Sequence, residues 1–253
     1  MVAVTRFDLI VLAWLLLAVA VFVALFFVTA PYGRHLRRGW GATLPARLGW
    51  LIMEAPSALV FAAFFAVGPF NGGATAWVFL VMWEAHYVHR AFVYPWTLRD
   101  ARRRMPLSVA AMAIAFNAVN ASLNGRWLFG LSGGYGTDWL TDPRFLCGAA
   151  LFVTGFAVNR RSDETLRGLR RFGSAGYAVP LGGLYRWVSC PNYLGEIVEW
   201  LGWALATWSL PGLAFAVWTA ANLAPRAHAN HRWYRERFAD YPAERRALIP
   251  GVW

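Results

Sequence analysis

Apolar residues fall into seven long runs, and polar residues gather in the breaks between them. The runs cover about residues 9–30, 44–67, 74–94, 106–123, 145–158, 192–208 and 213–224. A run of about 20 apolar residues spans a ~30 Å hydrocarbon core as a helix. The first is too long for the apolar part of a signal peptide, and no small-x-small cleavage site follows it. Turn residues punctuate the runs: Gly68, Pro69, Asn71, Gly72 and Gly73; then Pro180, Gly182 and Gly183; then Ser209, Pro211 and Gly212. The pattern predicts an all-α, multi-pass integral membrane protein with seven transmembrane helices, forming a single domain over residues 1–253. No repeat of fixed period interrupts it.

Composition agrees with the membrane reading. Hydrophobic residues make up 58% of the chain and its mean hydropathy is +0.41. The 15 Trp and 9 Tyr suit aromatic belts at the two interfaces. Net charge is +11, and every basic side chain is Arg. The arginines sort by side. Twenty of the 24 lie in or beside the first, third and fifth breaks and the C-terminal tail, whereas Arg6, Arg126 and Arg144 fall on the other side. Positive residues stay inside, so the N-terminus is expected outside and the C-terminus in the cytosol. Topology accounts for the charge better than a nucleic-acid partner does, and nothing calls for a protein partner.

Several chemistries find no support. Cys147 and Cys190 set no disulfide framework and match no zinc spacing. The pairs His86/His89 and His228/His231 stand at i, i+3, but five histidines are too few for a membrane di-iron centre, so no metal is expected. No G-x-G-x-x-G joins a strand to a helix, and there is no P-loop. A nucleotide would have to be held some other way.

Polar residues inside the runs carry the remaining information. Pro191 suits the first turn of a helix. Asn192, Glu196 and Glu199 then stand at i, i+4 and i+7 on one face. An acidic side chain at the centre of a membrane helix costs ~2.5–3.5 kcal/mol, so this face must meet a protein interior or a polar ligand. Glu54 is the lone ionisable group of the second run, and Tyr87 lies in the third with Arg90 and Tyr94 on its face. A desolvated carboxyl beside a phenol can polarise a carbonyl oxygen; a hydrogen bond between helices is the alternative. On the cytosolic side, Arg residues gather with Asn159, Asp163, Asn192, Asn230 and Tyr234. Such a set suits an anion with several phosphates, against the plainer role of holding loops inside.

The stretch Asn192-Tyr193-Leu194-Gly195-Glu196-Ile197-Val198-Glu199-Trp200, with Ala204 to Pro211, closely resembles the steroid 5α-reductase family. So do Asp240-Tyr241-Pro242 with Arg245 to Pro250, Trp50 to Ser57, His86 to Arg90 with Phe92-Val93-Tyr94, and Asn159 with Ser162-Asp163. The resemblance covers nearly the whole chain and is weakest in the first 40 residues.

It implies a seven-helix membrane reductase that uses NADPH on 3-oxo-4-ene steroids. Carried over, Glu54 and Tyr87 hold the steroid C3 carbonyl. Asn192 and Glu196 lie near the nicotinamide. Asn159, Asp163, Arg170, Arg226, Tyr234 and Arg103 line the rest of the cofactor. There are two departures: family members can carry Arg where Ala178 stands, and a cofactor-side His is replaced by Asn230. A steroid or sterol-like lipid would enter from the bilayer. The rivals are a reductase of an enoyl thioester or polyprenol, an isoprenylcysteine-type methyltransferase using S-adenosylmethionine, and a lipid-binding protein without activity. The all-Arg, Ala-rich composition points to a GC-rich genome and so to a bacterial inner membrane.

Overall fold

In the computed structural model, residues 5–98, 103–169 and 177–253 are described. Each apolar run becomes a helix. These are α1 (Arg6–Phe27), α2 (Ala46–Val67), α3 (Ala74–Val88), α5 (Leu107–Arg126), α6 (Pro143–Leu169), α7 (Pro191–Thr207) and α8 (Leu210–Arg237). A short helix, α4 (Tyr94–Thr97), follows α3 through a π turn at His89–Val93. Local signals set the starts. Thr5 and Asp8 cap α1 reciprocally. Pro191 stands in the first turn of α7, and Ser209 accepts from Gly212 N to cap α8. Trp208 takes the left-handed conformation, φ 44°, at the break between α7 and α8.

Three of these helices are long and apolar enough to cross a membrane: α1, α2, and α5 with the π turn that extends it to Leu131. The chain is therefore read as a membrane protein. Two elements differ from the sequence expectation. First, α6 and α8 run well past their apolar runs, which end near Val158 and Ala224. The burial continues there although the apolar residues stop: Asn159, Ser162 and Asp163 on α6, and Arg226, Asn230 and Tyr234 on α8, are all buried. Polar residues occupy the inward positions of a continuing helix. Second, a two-stranded antiparallel ribbon joins β1 (Thr43–Pro45) to β2 (Arg104–Pro106). Three residues are too few to display an alternating pattern. The ribbon ties together the starts of α2 and α5, where Ala46 N donates to Arg103 O (2.9 Å) and Leu107 N to Ala42 O (2.8 Å).

The contacts separate into two units, Ala30–Leu146 and the remainder, Met1–Thr29 with Cys147–Trp253. In the first, α2 packs chiefly on α5 and also on α3. Met53, Met105, Val109 and Ala110 form one part of its core. Phe61 forms another: it stacks on Trp83 at 4.4 Å and meets Phe129 edge-on. In the second unit, α8 packs on α1 and α7. The Trp14 and Trp218 rings lie 4.7 Å apart there, and Trp218 Nε1 donates to Trp14 O.

Helices α6 and α7 meet through glycines seven residues apart on each: Gly148 and Gly155 face Gly202 and Gly195. A Cβ at any of the four would collide with backbone of the opposite helix. Such small-residue seams let membrane helices approach closely.

Candidate active site

Two polar groups stand out, one in each unit. The first is built on α2, α3 and α5. Trp83 Nε1 donates to Ser57 O at 3.1 Å, which sets the register of the antiparallel α2–α3 pair. One turn back along α2 lies Glu54; one turn forward along α3 lies Tyr87. They therefore stand at the same level of the pair, on the faces that hold Ser57 and Trp83. Tyr87 is buried at 3% exposure, its ring 5.1 Å from that of Trp83. Glu54 is half-buried, and Asn117 of α5 donates to its Oε2 at 3.2 Å. Asn117 also donates to Met53 O (2.6 Å) and accepts from Ser57 Oγ (3.0 Å).

Sequence reasoning missed Asn117. The signal was present: Asn117, Asn120 and Asn124 recur at i, i+3 and i+7 along and just past the fourth apolar run, and all three are buried. A π turn at His89–Val93 falls within the expected shared face of Tyr87, Arg90 and Tyr94. Arg90 and Tyr94 do meet: Arg90 lies over the rings of Tyr94 (4.9 Å) and Trp50 (4.8 Å). Insertions of this kind recur beside functional sites.

The second group joins the polar ends of α6, α7 and α8. Asn159 Nδ2 donates to Asn192 O (2.9 Å) and Glu196 Oε2 (3.1 Å). Asn192 Nδ2 donates to Asp163 Oδ1 at 3.1 Å. From α8, Arg226 Nε and Asn230 Nδ2 both donate to the Tyr193 hydroxyl, at 3.1 and 3.4 Å. Six of the expected cofactor residues, Asn159, Asp163, Asn192, Glu196, Arg226 and Tyr234, thus sit on three adjoining helices. Tyr234 is buried and stacks on Tyr241 with the rings 5.4 Å apart. Arg103 belongs to the other unit, beside β2. Arg170 lies outside the described residues. Glu199, expected on the face of Asn192 and Glu196, is fully buried, where its backbone abuts Gly155.

A third network fastens the tail. Ser189 Oγ lies 2.6 Å from His231 Nδ1 and 2.7 Å from the Tyr241 hydroxyl, and it donates to Arg246 O. Burial, with Arg235, His228 and Arg246 nearby, holds the His231 pKa below its ordinary 6.5. The fold favours the neutral ring, so this contribution is complete above about pH 6.5 and fades as pH falls below it. The melting temperature in detergent is expected to drop between about pH 7.5 and about pH 5, and less steeply in His231→Asn. Equal slopes would remove His231 from the account. On the loop before α6, Asp142 is held at about 2 by hydrogen bonds from the Arg144 side chain and backbone. Among the described residues no cluster of His, Cys, Asp and Glu could hold a metal ion.

The family model for 3-oxo-5-alpha-steroid 4-dehydrogenase matches residues 103–253. The chain belongs to this family. It is 43% identical to 3-oxo-5-alpha-steroid 4-dehydrogenase 1 of Bos taurus over 251 residues, covering 97% of both chains. It is 42% identical to steroid 5-alpha-reductase DET2 of Gossypium hirsutum over 255 residues, covering 98% of both. The human 3-oxo-5-alpha-steroid 4-dehydrogenase 1 is 42% identical over 87% of this chain and 85% of its own. As a member of the 3-oxo-5-alpha-steroid 4-dehydrogenase family, the chain is an oxidoreductase. The similarity extends past the family-model boundary to include α2 and α3, which carry Glu54 and Tyr87.

Proposed function

We propose that the chain is an NADPH-dependent 3-oxo-5α-steroid 4-dehydrogenase, which reduces the 4,5 double bond of 3-oxo-4-ene steroids. The observation that carries this reading is the placement of Glu54 and Tyr87 at one level of the α2–α3 pair, in a chain end-to-end similar to steroid reductases. Seven helices cross a bacterial inner membrane, with the N-terminus outside and the C-terminus in the cytosol. The near-complete coverage of the relatives supports one reductase domain over residues 1–253.

The donor set at the ends of α6, α7 and α8 fits a dinucleotide. Amides and carboxylates that already pair with one another can pair with a carboxamide, and Arg226 can meet a phosphate. Asn192 and Glu196 would hold the nicotinamide end, with Asn159, Asp163, Arg226, Arg170, Tyr234 and Arg103 along the rest. When bound, NADPH supplies the hydride that steroid C5 receives. As C5 is reduced, negative charge grows on the steroid C3 oxygen. The Tyr87 hydroxyl donates to that oxygen. Glu54 orients the phenol or donates its own proton when protonated. Tyr87 is buried against Trp83, and a phenol donating there works away from water, where such bonds are strong. C4 then takes a proton.

The test is to mix purified protein with NADPH and a panel of enones, following NADPH consumption and identifying products. Turnover of a 3-oxo-4-ene steroid to its 5α product is expected, with NADPH preferred over NADH because arginines can meet a 2′-phosphate. Turnover of an enoyl thioester alone would make it a reductase of another conjugated lipid. Binding of S-adenosylmethionine in place of NADPH would make it a methyltransferase.

A further inference from the structure

Asn117 is buried at 4% exposure and all its polar capacity is directed at one turn of α2. Its Nδ2 donates to Met53 O at 2.6 Å and to Glu54 Oε2 at 3.2 Å, and its Oδ1 accepts from Ser57 Oγ at 3.0 Å. The orientation of the amide follows from chemistry. A backbone carbonyl only accepts, so the atom facing Met53 O must be the N–H-bearing one. The same nitrogen then meets Glu54.

This has a consequence for the carboxyl. A protonated carboxyl has one good acceptor, its carbonyl-type oxygen, and the other oxygen carries the proton. An N–H aimed at Oε2 favours Oε2 as the acceptor of the carboxyl. Ser57 completes the arrangement from three residues along the same helix, by holding Asn117 Oδ1. The remaining buried amides of α5 do not share this role: Asn124 donates to Asn120 O, within its own helix.

We infer that Asn117 is the positioning residue for Glu54: its N–H, itself fixed by Met53 O and Ser57, holds the carboxyl in one orientation. The inference rests on the reading of Glu54 as a group on the substrate carbonyl, but its first test does not need substrate. Infrared spectra of the unmodified protein and of Glu54→Gln in detergent identify the carboxyl band that belongs to Glu54. In Asn117→Ala that band should move to higher frequency, because the acceptor oxygen has lost its N–H partner. A band that stays in place overturns the inference, whatever the enzyme reduces. Asn117→Leu is close in size, has no donor and adds no carboxyl band, and it stands in if the alanine variant does not fold.

The second test uses turnover. Misplacing a reacting group by about an ångström can cost on the order of a hundredfold. Asn117→Ala should lower steroid kcat by about tenfold to a hundredfold with little change in the KM for NADPH. Ser57→Ala, which removes the bond that holds Asn117 Oδ1, should lower kcat in the same direction but by a smaller factor. In a Glu54→Gln background, Asn117→Ala should have almost no further effect on kcat. Equal losses in both backgrounds would mean that Asn117 only glues α5 to α2. If instead the unmodified protein reduces no 3-oxo-4-ene steroid, the proposed reaction fails, and the infrared result still decides the position of Asn117.

Discussion

Tyr87→Phe is expected to lower kcat on a 3-oxo-4-ene steroid by ~10²–10³, the scale for losing one donor to a developing oxyanion. The change removes only the phenol oxygen. The ring, whose centroid lies 5.1 Å from that of Trp83, keeps its packing. Glu54→Gln should cost a comparable factor. It keeps the shape and an acceptor for Asn117 but has no acidic proton. Both side chains stand at one level of the same helix pair, so their effects should not add. The double variant should be little worse than the worse single one. KM for NADPH should barely change in any of the three, since the pair is assigned to the steroid end. Steady-state kinetics on purified protein, with melting temperatures beside them, separate this from a purely structural role. A structural hydrogen bond would show as lost stability with normal turnover in the folded fraction. A well-folded Glu54→Gln protein with near-normal kcat would end the assignment of Glu54 to catalysis.

Gly195→Ala is expected to cause a large loss of stability, as is any methyl added to the glycine seam of α7. The new Cβ would lie 2.5 Å from Asn159 N and 2.7 Å from Gly155 O. Both obstacles are backbone, so no side chain can swing aside. The helices must separate or shift, at a cost of about 3 kcal/mol or more. The same shift would pull Asn159 away from Asn192 O and Glu196 Oε2, which lie one helical turn or less from Gly195. Folded yield and melting temperature should therefore fall together with affinity for NADPH. Gly168→Ala is the control within α6, where a Cβ would meet nothing within 4 Å among the described residues. Alanine is the better helix former by about 1 kcal/mol, so that variant should be as stable as the parent or slightly more. Equal behaviour of the two variants would discard the close α6–α7 approach.

The seven helices were legible because apolar side chains are costly to leave in water and backbone polar groups are costly to leave unpaired in lipid. Long apolar runs answer both. Turn residues such as Gly68–Gly73 and Ser209–Gly212 then mark where each run must break. Glu54, Tyr87 and Glu196 were legible for the converse reason: an ionisable or hydroxyl group inside such a run needs a partner or a task. The extent of α6 and α8 was not legible. Asn159, Asp163, Arg226 and Asn230 mark where the apolar runs stop, and a hydropathy pattern cannot distinguish a polar residue facing water from one buried against other polar residues. Only the meeting of three helices decides that, by offering Asn159 the carbonyl of Asn192 and the carboxyl of Glu196. The ribbon of Thr43–Pro45 with Arg104–Pro106 likewise pairs segments some sixty residues apart. Asn117 belongs to the same class. The chain alone determined that α5 carries three amides on one face. The fold decided that one of them reaches Glu54, because hydrogen bonding acts across a few ångströms of space and is blind to separation along the sequence.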